Sequence, residues 1–491
     1  MAPPSAPALG VLPEDRFLWQ FWVNKGMDPR ALAEKLAGLG EATNWDYIAG
    51  NSLYGGFEGE VLRCLSGQGA APAEFLSRFA RDVRGHPHRI APGGSESDLL
   101  VLCASPRMTA EEEVKAAALC DGAVAWEALV AAAARANLTV AVHHNLSRLD
   151  RGSAAPAEVW SVLGARAEGV AGRNRRLLDL QDDVFRLLTG EGIRILLLKE
   201  SGLALSHYGN GRLRMMGDLD LLLGPSDLER VVGLLESRGY QSAEVLWTKE
   251  HYRRQHHHAA PLVQADLAAK IEPHHSIALQ VLPGGEPPGL VAAMAERAVR
   301  IDARAWCFTP ADILFHLSVD LFSNAFIGKM GQLCDARELV RQGGVEWPLL
   351  ERTARAAGAE AHVAFCLRLL SDIGTPVPAE VVQALEPGSR PPFDARGLRR
   401  MAERNLFGYV RSRARLSRAG EKLMFQALTR PGGWLGRTVF LAKRYLYVGA
   451  SDEGVGELGR RSRPSTGQAL GRMMTLPLRA VRRWTASRRM P

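Results

Sequence analysis

Apolar residues recur at helical spacing over 15–83, over 99–188, and from Thr309 to about Leu446, which predicts helix after helix. Local signals mark several helix ends. Thr109 and Glu112 have the spacing of a capping box, Gly190 and Gly192 stop the amphipathic run 173–192, and Ser226 with Glu229 opens a helix over 225–241 that Gly239 closes. Between the helical blocks the period changes. Residues 193–198 form a largely apolar run, 218–223 alternates acids with leucines, and 270–279 (KIEPHHSIAL) is a third short candidate strand. With a helix over 201–208 and a turn at Gly209, Asn210 and Gly211, this order predicts a small mixed α/β sheet. Pro273 lacks a backbone N–H, which places its strand at a sheet edge or ends it early.

The candidate strands carry the most specific chemistry. On a strand, Asp218 and Asp220 point to the same face, about 7 Å apart along the chain. Two carboxylates beside an apolar strand need a metal or a basic partner. Metal-dependent phosphoryl transfer requires acids for a divalent ion, cations for phosphate oxygens, and backbone that approaches a triphosphate closely. Asp218 and Asp220 supply the acids. Lys199, Arg212 and Arg214 are candidate cations, and Gly202, Gly211 and Gly217 permit close approach. Glu272 offers a third acid, with His274 on the same face. An Asp-x-Asp pair alone is a weak signal, and Lys199 and Arg214 could equally neutralise these acids with no metal present.

Composition narrows the setting. The 491 residues suffice for two or three folded units, and 46% hydrophobic with 23% charged content is that of a soluble globular chain. The start reads as a Pro/Ala-rich leader without a signal-type apolar core, and no apolar run reaches membrane-spanning length. Six scattered cysteines with no CxxC pair suit reduced thiols, so a cytoplasmic location is expected. Net charge is +8, but nine arginines and no acid follow Glu457, so the body is close to neutral. This argues against a broad nucleic-acid surface. The basic tail predicts a disordered segment or weak contact with anionic membranes or RNA. The aromatic cluster Phe17, Trp19, Phe21 and Trp22 reads as a packing anchor, and 85–98 as a linker. His251, His256, His257, His258, His274 and His275 lie within 25 residues and invite a zinc reading, yet adjacent side chains in the HHH run are expected to diverge, and no cysteine joins them.

Over about 97–342 the sequence resembles the uncharacterised nucleotidyltransferases of bacterial biosynthetic clusters, a branch of the polymerase-beta-type nucleotidyltransferase superfamily. The resemblance rests on GIRILLLKESGLALSHYGNGRLRMMGDLDLLL, HAAPL (258–262), IEPHHSI (271–277) and the helix containing LCDARELV. Lys199, Tyr208, Arg214, Asp218 and Asp220 fill the positions of the family's first motif. The later acid and histidine fall on Glu272 and His274, the upstream histidine on His258, and the acid of the following helical region on Asp335. Two positions depart from the pattern. Glu200 replaces the glycine after the lysine, and Glu-Leu-His-Trp has become Glu-Pro-His-His.

The resemblance implies an α+β fold with a polymerase-beta-like core at 175–285. Before it come a helical extension and linker (1–95) and a helical lead-in (96–174); after it come a helical region (286–450) and a basic tail (451–491). It implies Mg²⁺ or Mn²⁺ on Asp218, Asp220 and Glu272, and a nucleoside triphosphate met by Lys199, Gly202 and Arg214. Tyr208, His258, His274 and Asp335 are implied as substrate-contacting or supporting residues. The implied reaction moves a nucleoside monophosphate to a small-molecule, sugar or peptide acceptor. The alternative is a non-catalytic scaffold or maturation partner that keeps the fold.

Overall fold

The computed structural model describes Phe17, Leu18, Leu39, Phe425 and residues 42–407, apart from 56–57, 69–70, 85–89, 210–212, 243–248, 250–251, 253–255, 265–268, 278–281, 283–284 and 387–394. Trp19, Phe21, Trp22, Gly211, Arg212, His251 and the tail after Glu457 therefore lie outside the described residues. Phe17 is fully buried against Tyr47, Phe75 and Phe79.

The described residues form 17 α-helices and one seven-stranded mixed sheet. Its strands are β1 (Ile195–Leu197), β2 (Leu219–Leu222), β3 (Gln241–Ser242), β4 (Leu262–Gln264), β5 (Ala269–His274), β6 (Val299–Arg300) and β7 (Ala305–Cys307). The spatial order is β3-β4-β5-β2-β1-β7-β6. β1 runs antiparallel to β2 and parallel to β7, while β2 runs parallel to β5. The sheet thus reaches past residue 285, where the sequence ends the α/β core. β6 and β7 come from the stretch read as helical, because each is too short for period-two alternation to register.

Two further expectations change. Helix Leu228–Ser237 is preceded by Asp227 and has no side-chain cap, so Ser226 does not open it. β5 lies between β4 and β2 rather than at an edge. Pro273 fits there because its carbonyl accepts from Ala259 N–H at 2.8 Å. Its ring nitrogen shares that side of the strand, beyond Leu262↔Ile271 where the β4 ladder ends. The capping box does form: Thr109 Oγ1 accepts from Glu112 N–H at 3.2 Å, and Glu112 Oε2 accepts from Thr109 N–H at 2.8 Å.

The pleat divides the core. Ile195, Leu197, Leu219, Leu221 and Ile271 pack with Leu177, Leu180, Phe185 and Leu188 of the long helix Ala157–Gly190, and with Val231 and Leu235. Leu196, Leu198 and Leu222 face the larger helical core, which includes Leu314, Leu317 and Leu333. Asp220 alternates with Leu219 and Leu221, so its carboxylate lies on this second side. Helices Pro310–Ser323 and Met330–Gln342 therefore wall the acid-bearing face. No helix among the described residues is long and apolar enough to cross a membrane.

Candidate active site

Register brings the acids together. β2 and β5 pair in parallel with Asp220 opposite Glu272 and Leu222 opposite His274, so both acids and the histidine share one face. Lys199 follows the end of β1, where Leu198 N–H donates to the Asp220 carbonyl at 3.1 Å. Lys199 has φ +47°, a left-handed conformation that costs a residue with a Cβ about 1–2 kcal/mol. From that turn its Nζ reaches Asp220 Oδ1 at 3.0 Å. Ser201, fully buried, fixes the same turn: its Oγ donates to the Asp218 carbonyl at 3.0 Å and accepts from Asp220 N–H at 3.4 Å.

A lysine not singled out in the sequence completes the cluster. Lys270 Nζ lies 2.6 Å from Asp218 Oδ2 and 2.7 Å from Glu272 Oε1, bridging the two carboxylates. It stands two residues before Glu272 on β5, so period-two alternation was the signal that could have found it. His274 Nε2 lies 2.8 Å from Asp220 Oδ1, and its Nδ1 faces the Ser276 carbonyl at 3.3 Å. Two acceptors favour the doubly protonated ring. Three acids thus meet three cationic groups: Lys199, Lys270 and His274.

The ionisation directions follow from these contacts. Burial pushes the Asp218 carboxyl up to about 6, against the pull of Lys270. At Asp220 burial acts upward too, but Lys199 and His274 outweigh it and hold the carboxyl below its ordinary range. Glu272 is held well below its range because Lys270 and His274 overcome burial. Burial disfavours the charged forms of Lys199 and His274, yet the neighbouring acids raise both.

Arg214 is placed differently from the expectation. It is 1% exposed and all three guanidinium nitrogens are engaged. Nε reaches Asp335 Oδ1 at 2.8 Å, Nη2 reaches Asp335 Oδ2 at 2.8 Å and Glu200 Oε1 at 3.1 Å, and Nη1 donates to the Met215 carbonyl. Tyr208 OH also donates to Asp335 Oδ1 at 2.8 Å. Arg214 therefore braces the segment before β2 against helix Met330–Gln342, with four of its five N–H donors committed to that brace. Glu200, whose bulk and charge stand at the family's glycine position, turns to this arginine. Gly202 also has a packing role. A Cβ there would lie 3.1 Å from the Leu197 carbonyl oxygen, so this glycine lets its helix pack on the end of β1. The cavity it lines with Lys199, Phe308 and His316 has about 10 Å³, room for one water.

The histidine triplet does not diverge. Ring centroids of His256, His257 and His258 lie 4.1–4.9 Å apart, because the chain bends at His256 and His257 before His258 bridges to His274. Burial pushes His258 down to about 4, so the ring is neutral near pH 7. Its Nδ1 lies 2.6 Å from the Ala259 carbonyl, and its Nε2 lies 3.8 Å from Glu272 Oε2.

A divalent cation fits the acid cluster on two observations. Ligand atoms of Asp220, Glu272 and His274 all lie within 4.8 Å of one another, the two carboxylates in ionised form and His274 able to join them only once its Nε2 has given up its proton. Asp220 Oδ2 is buried and has no hydrogen-bond partner among the described residues, a costly state for a carboxylate oxygen. Carboxylate oxygens suit Mg²⁺ or Mn²⁺. Asp218 lies outside this closest group, beyond Lys270.

Acids on adjacent parallel strands, ringed by cations at a helix turn, define a phosphoryl-transfer class of site. The family of uncharacterised nucleotidyltransferases matches residues 122–373, just over half the chain, and the chain belongs to that family. Nucleotidyl transfer is accordingly its general role. The matched span contains every residue of the acid cluster and of the Arg214 brace. No curated protein and no solved structure matches the chain.

Proposed function

We propose that the chain is a Mg²⁺- or Mn²⁺-dependent enzyme that moves a nucleoside monophosphate from a triphosphate to a hydroxyl of a small-molecule, sugar or peptide acceptor. The observation that carries this reading is the buried Asp220–Glu272 rung with the unpartnered Asp220 Oδ2. Asp220 and Glu272 would hold the cation, with Asp218 as the further acid of the set. When bound, the cation supplies charge neutralisation at the phosphates. Lys199, aimed across the same face, adds fixed positive charge where negative charge develops. One carboxylate of this acid set would accept the acceptor's hydroxyl proton. The acceptor oxygen then bonds to the α-phosphorus, the bond to the bridging oxygen of the β-phosphate breaks, and pyrophosphate leaves.

The near-neutral body supports a small acceptor over a nucleic acid. The six cysteines are all thiols, which supports a reducing, cytoplasmic setting. The Glu200–Arg214 pair weighs against a non-catalytic scaffold, since it turns the glutamate's charge towards the brace. The test incubates the full chain with Mg²⁺ or Mn²⁺, α-labelled triphosphates and a panel of sugar, peptide and small-molecule acceptors. Pyrophosphate release that disappears in Asp220→Asn is expected; release that persists in that variant would sink the proposal.

A further inference from the structure

Lys270 stands between two carboxylates of the acid set proposed to hold the cation, Asp218 and Glu272, which no other short contact among the described residues joins. Its Nζ meets Asp218 Oδ2 at 2.6 Å and Glu272 Oε1 at 2.7 Å, distances of strong charge-assisted bonds. The lysine is not a fixed wall of the site. Its side chain is 33% exposed, against 12% for Glu272 and 1% for Asp220, and a lysine stem has four rotatable carbons. Its two partners belong to separate strands, β5 and the entry to β2, so the ammonium ties together two of the acids proposed to hold the cation. With Lys199 and His274 it already offsets the three acids.

We infer that Lys270 is an internal competitor of the divalent cation, an ammonium that a metal must displace from Asp218 and Glu272 before the site is loaded. The inference rests on the metal-dependent reading above. Free metal then binds weakly, because two added positive charges enter a charge-balanced cluster and must break both lysine contacts. A metal–triphosphate complex binds far better, because the triphosphate brings the anionic oxygens that the released ammonium needs. Metal and nucleotide therefore load together, and Lys270 becomes a positioning residue for the nucleotide rather than a catalytic group. The coupling is reciprocal, as any linkage between two ligands must be.

The test is a titration of Mn²⁺ followed by electron paramagnetic resonance, on the full chain without nucleotide and again with a non-hydrolysable triphosphate analogue. Lys270→Met should bind free Mn²⁺ about tenfold or more tightly than the unsubstituted chain, and the analogue should strengthen Mn²⁺ binding less in the variant. Lys270→Gln checks the same effect in a side chain that retains polarity should the methionine variant fail to fold. Lys270→Arg, which keeps the charge, should bind Mn²⁺ as weakly as the unsubstituted chain. Neutral variants that bind free Mn²⁺ no more tightly, while Asp220→Asn weakens it, would overturn the role of Lys270 and leave the metal reading standing. Mn²⁺ binding that ignores Asp220 in every protein would overturn both.

Discussion

Removing charge from each acid around Arg214 separates a brace from a nucleotide contact. Asp335 is 1% exposed and takes the Nε and Nη2 bonds of Arg214 as well as the Tyr208 hydroxyl. Asp335→Asn leaves a fully buried guanidinium with only Glu200 as counter-charge, and breaking a buried pair on one side costs about 3–5 kcal/mol. Glu200 makes one bond to Arg214 at 3.1 Å with its side chain 17% exposed. Glu200→Gln keeps an oxygen acceptor, so it should cost about 1 kcal/mol. Equilibrium urea unfolding of the full chain by fluorescence and circular dichroism gives both values, provided the two probes coincide. Pyrophosphate release on the same samples tests the site. The expected order is Asp335→Asn far below Glu200→Gln, with triphosphate affinity unchanged in the latter. A Glu200→Gln protein of unaltered stability that binds triphosphate severalfold more tightly would refute the brace and put Glu200 against the nucleotide.

Three further outcomes follow from particular contacts. Lys199→Gly and Lys199→Ala both remove the ammonium from Asp220, but φ +47° favours glycine, so the glycine variant should be more stable by about 1 kcal/mol in urea unfolding; equal stability would contradict a left-handed turn. Gly331→Ala would bring a Cβ to 2.3 Å from the Ala136 carbonyl oxygen, an overpacking cost of about 1–3 kcal/mol, and the shifted helix should lower pyrophosphate release through Asp335. Burial pushes His316 and His362 down to about 4, against about 6.5 in an unfolded chain. Above pH 6.5 both are neutral in either state; as pH falls towards 4 the unfolded state takes up protons first, so each costs up to about 3 kcal/mol. Urea midpoints should therefore fall between pH 6.5 and 4, less steeply in His362→Leu, and an identical slope in that variant would contradict the assignment.

Much of the fold was legible because it rests on local signals. The long helix ends at Gly190 with Gly192 at φ +71°, the capping box closes at Thr109, and three strands lie inside the predicted apolar runs or overlap them. β6 and β7 were not legible, since two- and three-residue strands carry no period. Pro273 misled only in its edge-strand reading; the other reading, a strand that ends early, holds, since β5 stops at His274 and the neighbouring ladder has ended where the proline would need an N–H. His256, His257 and His258 misled likewise, because alternation of side chains assumes an extended backbone and theirs is bent.

The candidate site shows a sharper division. Its acids could be named from sequence because nucleotidyl transfer needs carboxylates on neighbouring strands, and Asp218, Asp220 and Glu272 are spaced for that chemistry. Its cations could not be sorted the same way. Arg214 and Lys199 both precede or follow a strand at sensible distance, yet one is enclosed by Asp335 and Glu200 and the other faces Asp220. That difference depends on a helix more than a hundred residues away in the chain, which no local pattern contains. Lys270 was hidden for the opposite reason, standing two residues from Glu272 on the same strand and easily taken for an ordinary solvated strand residue. A buried row of acids cannot fold without partners, because the cost of burying unpaired charge exceeds any single contact. The acid pattern of such a strand therefore predicts an equal and nearby set of cations, and each alternate position beside a candidate metal ligand deserves the question of whether it holds the site shut.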